Sequence, residues 1–323
     1  MPYQPTFVSF APTYMCNLSC AHCCVPKTSD QQLPLDLALT CIREAAGLRI
    51  TAVGFTGGEP MLVFEWVAEA VREAVRVGLE ADDLSTNGVW WSHRDELEMR
   101  LRVLKVAGFA GGFHLSVDAF HAGAGGERQA EFIRAAIEIF GTAGSLSCAE
   151  SPNHSAMPVI VELARHLDAE VTEESAETGH LDVGGVTVRY FRFPVAEVGQ
   201  RAHVGVSTGA EWFGDFDCFG HDSVYVDPEG KARFCLGFAT YAAPALCLGD
   251  VAQEGLAAVM SSAAADPLVE LLCAEGPRGL RRVIEEGDPD AFLEPWSSPC
   301  SFCYHCLTDK RRVSVLREAG LVG

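Results

Sequence analysis

Between residues 7 and 193 short apolar runs alternate with segments of helical period, which restricts the chain to an α/β architecture of repeated strand–helix steps. The pattern predicts strands at Phe7–Phe10, Thr51–Phe55, Asp83–Thr86, Phe113–Val117, Ser145–Cys148 and Val186–Phe193. It predicts helices at Leu37–Leu48, Phe64–Val77, Glu96–Val106, Gln129–Phe140 and Val159–Leu167, with Val67, Val71 and Val75 forming one stripe of the second. Flavodoxin-like and Rossmann sheets use the same alternation, so the choice among them rests on motifs.

The first motif is Tyr14-Met-Cys16-Asn-Leu-Ser-Cys20-Ala-His22-Cys23-Cys24. Its C-x3-C-x2-C spacing puts the thiolates of Cys16, Cys20 and Cys23 on one short loop, enough for three irons of a [4Fe-4S] cube. The fourth iron is left open to a small molecule, whereas a zinc site usually closes with a fourth Cys or His. About one strand–helix step later comes Gly57-Gly58-Glu59-Pro60, directly behind the strand Thr51–Phe55. Glycines there allow close backbone approach, and a carboxylate offsets the desolvation of an ammonium. A plain strand-to-helix turn would also use Gly and Pro.

Together these two segments resemble the radical S-adenosylmethionine (SAM) superfamily. The resemblance implies a partial (β/α)6 barrel of the TIM type, with functional groups at the C-terminal strand ends. The open iron would chelate SAM, and electron transfer would cleave it to methionine and a 5′-deoxyadenosyl radical that abstracts hydrogen from a C–H bond. The backbone of Gly57, Gly58, Glu59 and Pro60 would hold the SAM amino group. Asn87 at the end of the third strand, and Ser116 and Asp118 at the end of the fourth, are expected to contact its ribose or carboxylate; Asn87-Gly88 would also make a turn and Asp118 a cap. Arg201, in a segment similar to one that follows the sixth strand in the family, is a candidate for the SAM carboxylate. His121 is expected at the same mouth. His22 departs from the pattern, since an aromatic residue usually stands beside the third cysteine. A flavodoxin- or ferredoxin-type protein is the implied electron donor.

The chain has 323 residues, 48% of them hydrophobic, enough for one large domain and a small one. No apolar stretch approaches a membrane span, and Met1-Pro-Tyr-Gln-Pro5 is no signal peptide, so no membrane partner is expected. Thirteen cysteines without an export signal favour metal ligation over disulfides, and a cytoplasmic location. A formal charge of −20 disfavours nucleic acid and suits a cationic substrate, or simply a solvated acidic surface.

From Cys218 onward the sequence turns rich in Gly, Pro and Cys. Val224-Tyr225-Val226, a turn through Asp227-Pro-Glu-Gly230 and a return toward Cys235 predict a β-hairpin bracketed by Cys218 and Cys235. Far downstream stands Cys300-Ser-Phe-Cys303-Tyr-His-Cys306. A hairpin between two cysteines plus a distant C-x2-C resembles the SPASM/twitch extensions of radical SAM enzymes, in the shorter form that holds one auxiliary [4Fe-4S] cluster. The expected organisation is therefore a core barrel over 1–205 and an auxiliary domain over 206–323, with two [4Fe-4S] clusters. The implied auxiliary ligands are Cys218, Cys235, Cys300 and Cys303, with Cys306 the rival for the last place. Four thiolates would equally suit structural zinc. Cys41 reads as a core residue on a helix, and Cys24 adjoins the cluster loop.

Cys247, outside the ligand set, is the expected donor that returns hydrogen to a substrate radical in an epimerisation; Cys273 is a weaker candidate, and a buried small hydrophobe is the plainer role for either. The alternatives are a dehydrogenation that sends an electron to the auxiliary cluster, as in the aminocyclitol-oxidising member of the family, and modification of a ribosomally made peptide. The cluster motif begins at residue 16, leaving no room before it for a peptide-recognition domain, so a small molecule, such as an aminoglycoside or aminocyclitol, or a short peptide is the expected substrate. An iron–sulfur scaffold without SAM chemistry is the non-enzymatic alternative.

Overall fold

The computed structural model describes residues 3–26, 30–121, 126–151, 153–195, 219–237, 239–292 and 298–323. Six strands, β1 (Phe7–Phe10), β2 (Ala52–Phe55), β3 (Glu80–Thr86), β4 (Phe113–Ser116), β5 (Ser145–Glu150) and β8 (Val186–Pro194), pair in parallel in that spatial order. Helices α1 (Leu35–Ala46), α2 (Phe64–Arg76), α3 (Arg94–Ala107), α4 (Gly126–Phe140) and α5 (Met157–Leu167) connect them. All six strands and five helices thus stand where the apolar patterning puts them, with ends shifted by a few residues.

Alternation along each strand divides its side chains between two faces. Val8 and Phe10, Val53 and Phe55, Phe113 and Leu115, and Leu146 and Cys148 are buried within the main apolar core. The helices contribute matched stripes, such as Val67, Ala70, Val71 and Ala74 of α2. The opposite face carries Ser9, Asp83, Ser85, His114 and Ser147, which line a cavity. Parallel strands are ordinarily apolar on both faces, so this polar file marks the face reserved for something other than packing.

Two additions lie outside the predicted series. The hairpin β6 (Glu170–Glu173) and β7 (Thr178–Val183) is inserted between α5 and β8 and pairs antiparallel along β8. At the other edge, β9 (Ser223–Val226) pairs in parallel with β1 in the register Phe7↔Ser223, and β10 (Lys231–Arg233) and β11 (Cys247–Asp250) follow antiparallel. The expected hairpin is present, but it extends the same sheet, which is continuous over eleven strands and crosses the expected boundary at 205–206. Asp227 fixes its turn: one oxygen accepts from the N–H groups of Glu229 and Lys231, and the other is 2.7 Å from Arg233 Nε. Helices α6 (Val251–Glu254), α7 (Leu256–Ala263), α8 (Pro267–Glu275), α9 (Pro277–Gly287), α10 (Pro299–Thr308) and α11 (Lys310–Glu318) complete the chain. Asp250, Asp266, Ser298 and Asp309 accept hydrogen bonds from first-turn N–H groups of the helices they precede, the usual task of short polar residues at helix starts. Among the described residues no single helix is long and apolar enough to cross a membrane.

Candidate active site

The cysteine loop leaves β1 and is laced to the end of β2 by two backbone bonds. Gly58 N–H donates to the Thr13 carbonyl at 2.9 Å, and Glu59 N–H to the Met15 carbonyl at 2.7 Å. The approach is so close that only glycine fits. A Cβ on Gly58 would meet the Met15 carbonyl oxygen at 2.0 Å, and Gly57 has φ +116° with Ala11 Cβ 2.8 Å from where its own Cβ would stand. Cys16, Cys20, Cys23, Gly57, Gly58, Asn87 and Ser116 then line one cavity of about 260 Å³ with His22 and His121. The two motifs, about forty residues apart in sequence, are one wall.

Hydrogen-bond donors face two of the three sulfurs. Leu18 N–H lies 3.4 Å and Asn87 Nδ2 3.8 Å from Cys16 Sγ, and the His121 side chain bonds Cys20. Burial pushes the Cys16 thiol up to about 11, the neighbouring acid and thiols adding to the rise; cations at the sulfurs are what would hold it as thiolate. Three thiols on one wall, with donors toward the sulfurs, fit a cluster of the [4Fe-4S] type held through three irons. Cys20, His22 and His121 also bring one ligand atom each within 4.8 Å of one another, a donor set that zinc would accept. His22 stacks on Phe120, ring centroids 4.6 Å apart, and meets His121 edge-on at 4.9 Å, filling the place where an aromatic residue was expected.

Glu59 does not face this cavity. Its carboxylate is buried and accepts from Met61 N–H (3.1 Å), Thr86 Oγ1 (2.8 Å) and Asn87 N–H (2.8 Å), so the expected pairing with a ligand ammonium is replaced by a clasp between the ends of β2 and β3. Burial raises it to about 7 against the pull of those bonds. Pro60 is buried and opens the short helical turn Pro60–Val63 that follows. Asp118 is likewise turned inward. One oxygen accepts from Phe120 and His121 N–H and sits 2.9 Å from His121 Nδ1, and the other accepts from Ala149 N–H of β5. Burial favours its neutral form, but the His121 contact outweighs this and leaves it below the usual carboxylate range; the same contact helps carry His121, despite burial, up to about 10. Asp118 therefore caps and braces, and does not line the cavity, unlike Asn87 and Ser116. Gln129 of α4, missed in sequence, donates to the carbonyls of Ser116 (2.8 Å) and Asn87 (3.3 Å) and ties the strand ends that present them.

Arg201 and Cys218 lie outside the described residues. Cys235 and Cys300 converge: each sulfur is 3.4 Å from where a Gly237 Cβ would stand. Cys303 lies one turn beyond Cys300 on α10 and is partly exposed, while Cys306 is fully buried and its thiol is pushed up mainly by burial. Cys41 is buried on α1, as expected.

Cys247 is exposed on β11 and lines neither this cavity nor its neighbour, so the structure does not bring it to the cysteine loop. Cys273 is buried on α8. The cysteine placed between the two cavities is Cys24, which lines both. The second cavity, about 270 Å³, is walled by Ser9, Asp83, Ser85, His114 and Ser147 and closed by Tyr225, Thr240 and Tyr241. Strand register would have revealed it, because polar residues at alternate positions of adjacent parallel strands fall on one face.

Residues 10–143 match the model of the Radical SAM superfamily. Over 93 residues the chain is 40% identical to a GTP 3′,8-cyclase of Moorella thermoacetica, covering 27% of this chain and 28% of that protein. Over 72 residues it is 42% identical to YfkA of Bacillus subtilis, covering 21% and 19%. The chain thus spans less than a third of the length of these curated relatives. A structure described as native anSMEcpe with bound AdoMet and Cp18Cys peptide superimposes over 97% of this chain and 99% of that one, with TM-score 0.50 and 14% identity, a likeness of fold. Residues 10–143, with the cysteine loop and the Gly57–Pro60 edge inside them, form a radical SAM superfamily domain in a mixed α/β fold.

Proposed function

We propose that the protein abstracts a hydrogen atom from a C–H bond of a small polar molecule seated in the second cavity, and returns hydrogen to the opposite face from a thiol. The observation that carries this is the contiguity of the cysteine cavity with a hydroxyl-lined cavity on the same sheet face, with Cys24 lining both. When bound at Cys16, Cys20 and Cys23, a [4Fe-4S] cluster with SAM supplies the reducing electron and the 5′-deoxyadenosyl radical. The chain's part is positional. Gly57 and Gly58 offer a bare backbone edge, Asn87 and Ser116 polar contacts, and Arg201 remains a candidate for the SAM carboxylate. Thiol S–H bonds are weaker than most C–H bonds, so transfer from Cys24 to a substrate carbon radical is downhill; one electron from a flavodoxin- or ferredoxin-type donor and one proton from solvent would then restore the thiol from its thiyl radical. Cys247, the donor expected from sequence, is exposed and lines neither cavity.

Deuterated water separates the outcomes. Solvent deuterium retained at one inverted carbon, in a product of unchanged oxidation state, is expected from the wild type and from Cys247→Ala, while Cys24→Ala should cleave SAM without inversion. Inversion by Cys24→Ala, or its loss in Cys247→Ala, would refute the assignment. A product two hydrogens lighter would indicate dehydrogenation, the second reading, which the convergence of Cys235 and Cys300 favours because an auxiliary cluster there would accept the electron.

That auxiliary site is the second part of the proposal, with Cys218, Cys235, Cys300 and Cys303 as ligands. The full burial of Cys306 supports Cys303 for the last place. After anaerobic reconstitution about eight irons per chain are expected, falling to about four in Cys235→Ala/Cys300→Ala. Cys303→Ala should weaken the second site and Cys306→Ala spare it. About four irons with stoichiometric zinc in the wild type would overturn the two-cluster assignment.

A further inference from the structure

The floor of the second cavity holds a pair of titratable groups that the chemistry above does not use. Asp83 Oδ2 lies 3.2 Å from His114 Nε2, and His114 Nδ1 lies 2.9 Å from Ser145 Oγ. The pairing of strands makes this chain: Ser85, His114 and Ser145 fall in one row across β3, β4 and β5, and Tyr225, Ser9, Gly54 and Asp83 in the next. Gly54 leaves the space that lets Asp83 stand there, since a Cβ on it would meet Asp83 Cβ at 2.9 Å. These side chains cap no helix and close no turn. Both side chains keep part of their surface open, 33% for Asp83 and 42% for His114, so a ligand in the cavity can reach them.

The rest of the lining is mostly hydroxyl: Ser9, Thr56, Ser147, Thr240 and two tyrosines. Among the described residues it includes no Lys or Arg. Recognition of a phosphate or carboxylate calls for such cations or for a helix N-terminus. The basic group among the described lining residues is His114, and Asp83 already pairs with it, so a triphosphate, the substrate class named for the cyclases that share part of the sequence, finds no unpaired counter-charge among them. A carboxylate amid hydroxyls suits the opposite ligand, one rich in hydrogen-bond donors and carrying an ammonium. The volume of about 270 Å³ is at the small end of ligand sites and suits one ring rather than an extended chain.

We propose that Asp83, oriented by His114, is the specificity determinant of the substrate cavity and binds the ammonium group of an amine-bearing, polyhydroxylated ring. This rests on the reading of the second cavity as the substrate's seat and names the class that seat selects. Ser85, two residues along β3 from Asp83, lines both cavities and so spans the distance from the pair toward the cysteine loop.

The test is calorimetric binding of glucosamine, glucose and glucose 6-phosphate to the iron-loaded protein with SAM present and no reductant, so that nothing turns over. Glucosamine should bind at least about tenfold more tightly than glucose, and glucose 6-phosphate should not bind measurably. Asp83→Asn, checked for unchanged thermal unfolding, should bring glucosamine down to the level of glucose, a loss of preference that a merely structural role would not produce. Comparable or tighter binding of the phosphate sugar, no saturable binding of glucosamine, or an amine preference that survives Asp83→Asn would each overturn the proposal. The comparison among the three sugars on the wild type decides it even if the variant fails to fold. Reductive SAM cleavage by the wild type is measured separately; its absence would sink the radical reading and leave the sugar preference standing on its own.

Discussion

Replacing Cys16, Cys20 and Cys23 together by Ala is expected to abolish reductive SAM cleavage, a loss of at least about a thousandfold in 5′-deoxyadenosine formed per chain. The three sulfurs line one wall, and among the described residues Cys24 is the further thiol facing the same cavity, a single thiol that makes no substitute set. His22 and His121 could keep a zinc ion with difficulty once Cys20 is gone, but neither supplies the electron that cleavage needs. About four irons per chain should remain, held at the Cys235 and Cys300 site. Undiminished 5′-deoxyadenosine formation by the triple variant would show that the loop is not the reacting centre.

Glu59→Ala is expected to lower stability by about 3–5 kcal/mol, measured by chemical denaturation. The residue is buried, and its carboxylate satisfies two backbone N–H groups and the Thr86 hydroxyl, which lose that acceptor when the side chain is removed. Each orphaned donor costs about 1–3 kcal/mol, less than additively because the three share one acceptor group. Glu59→Gln should cost about 1–2 kcal/mol, since its amide oxygen can still accept while its NH2 must face a donor. A change below about 1 kcal/mol for the Ala variant would mean that the strand ends are held by something other than this clasp.

The strand–helix series was legible because its strands and helices carry strong and different periods, as in Val67, Val71 and Val75 or Phe113-His-Leu-Ser. The cysteine loop and the glycine edge were legible because each is contiguous in sequence, and the approach they require admits few other residues. What escaped was whatever depends on pairing between distant strands. The β6–β7 hairpin is short and its buried apolar side chains are Leu181 and Val183 of β7, so its apolar signature is weak. The pairing of β9 with β1 could not be read from a hairpin that looked complete in itself. Asp83 and His114, distant in sequence, come within 3.2 Å of each other only through the pairing of β3 with β4. Glu59 and Asp118 both sit at strand ends beside the site, and only their burial and bonding show that each side chain turns inward, Asp118 as the cap its position also suits. Cys247 stands outside the implied ligand set and follows the hairpin, but neither fact says which way its side chain faces, and on β11 it is exposed.

The most direct test of the account is electron paramagnetic resonance of the reduced, iron-loaded protein before and after SAM is added. If Cys16, Cys20 and Cys23 hold a cluster with an open iron, SAM should shift the cluster signal in the wild type and equally in Cys235→Ala/Cys300→Ala, which keeps that cluster alone. A fully iron-loaded wild-type protein whose signal is unchanged by saturating SAM would contradict it.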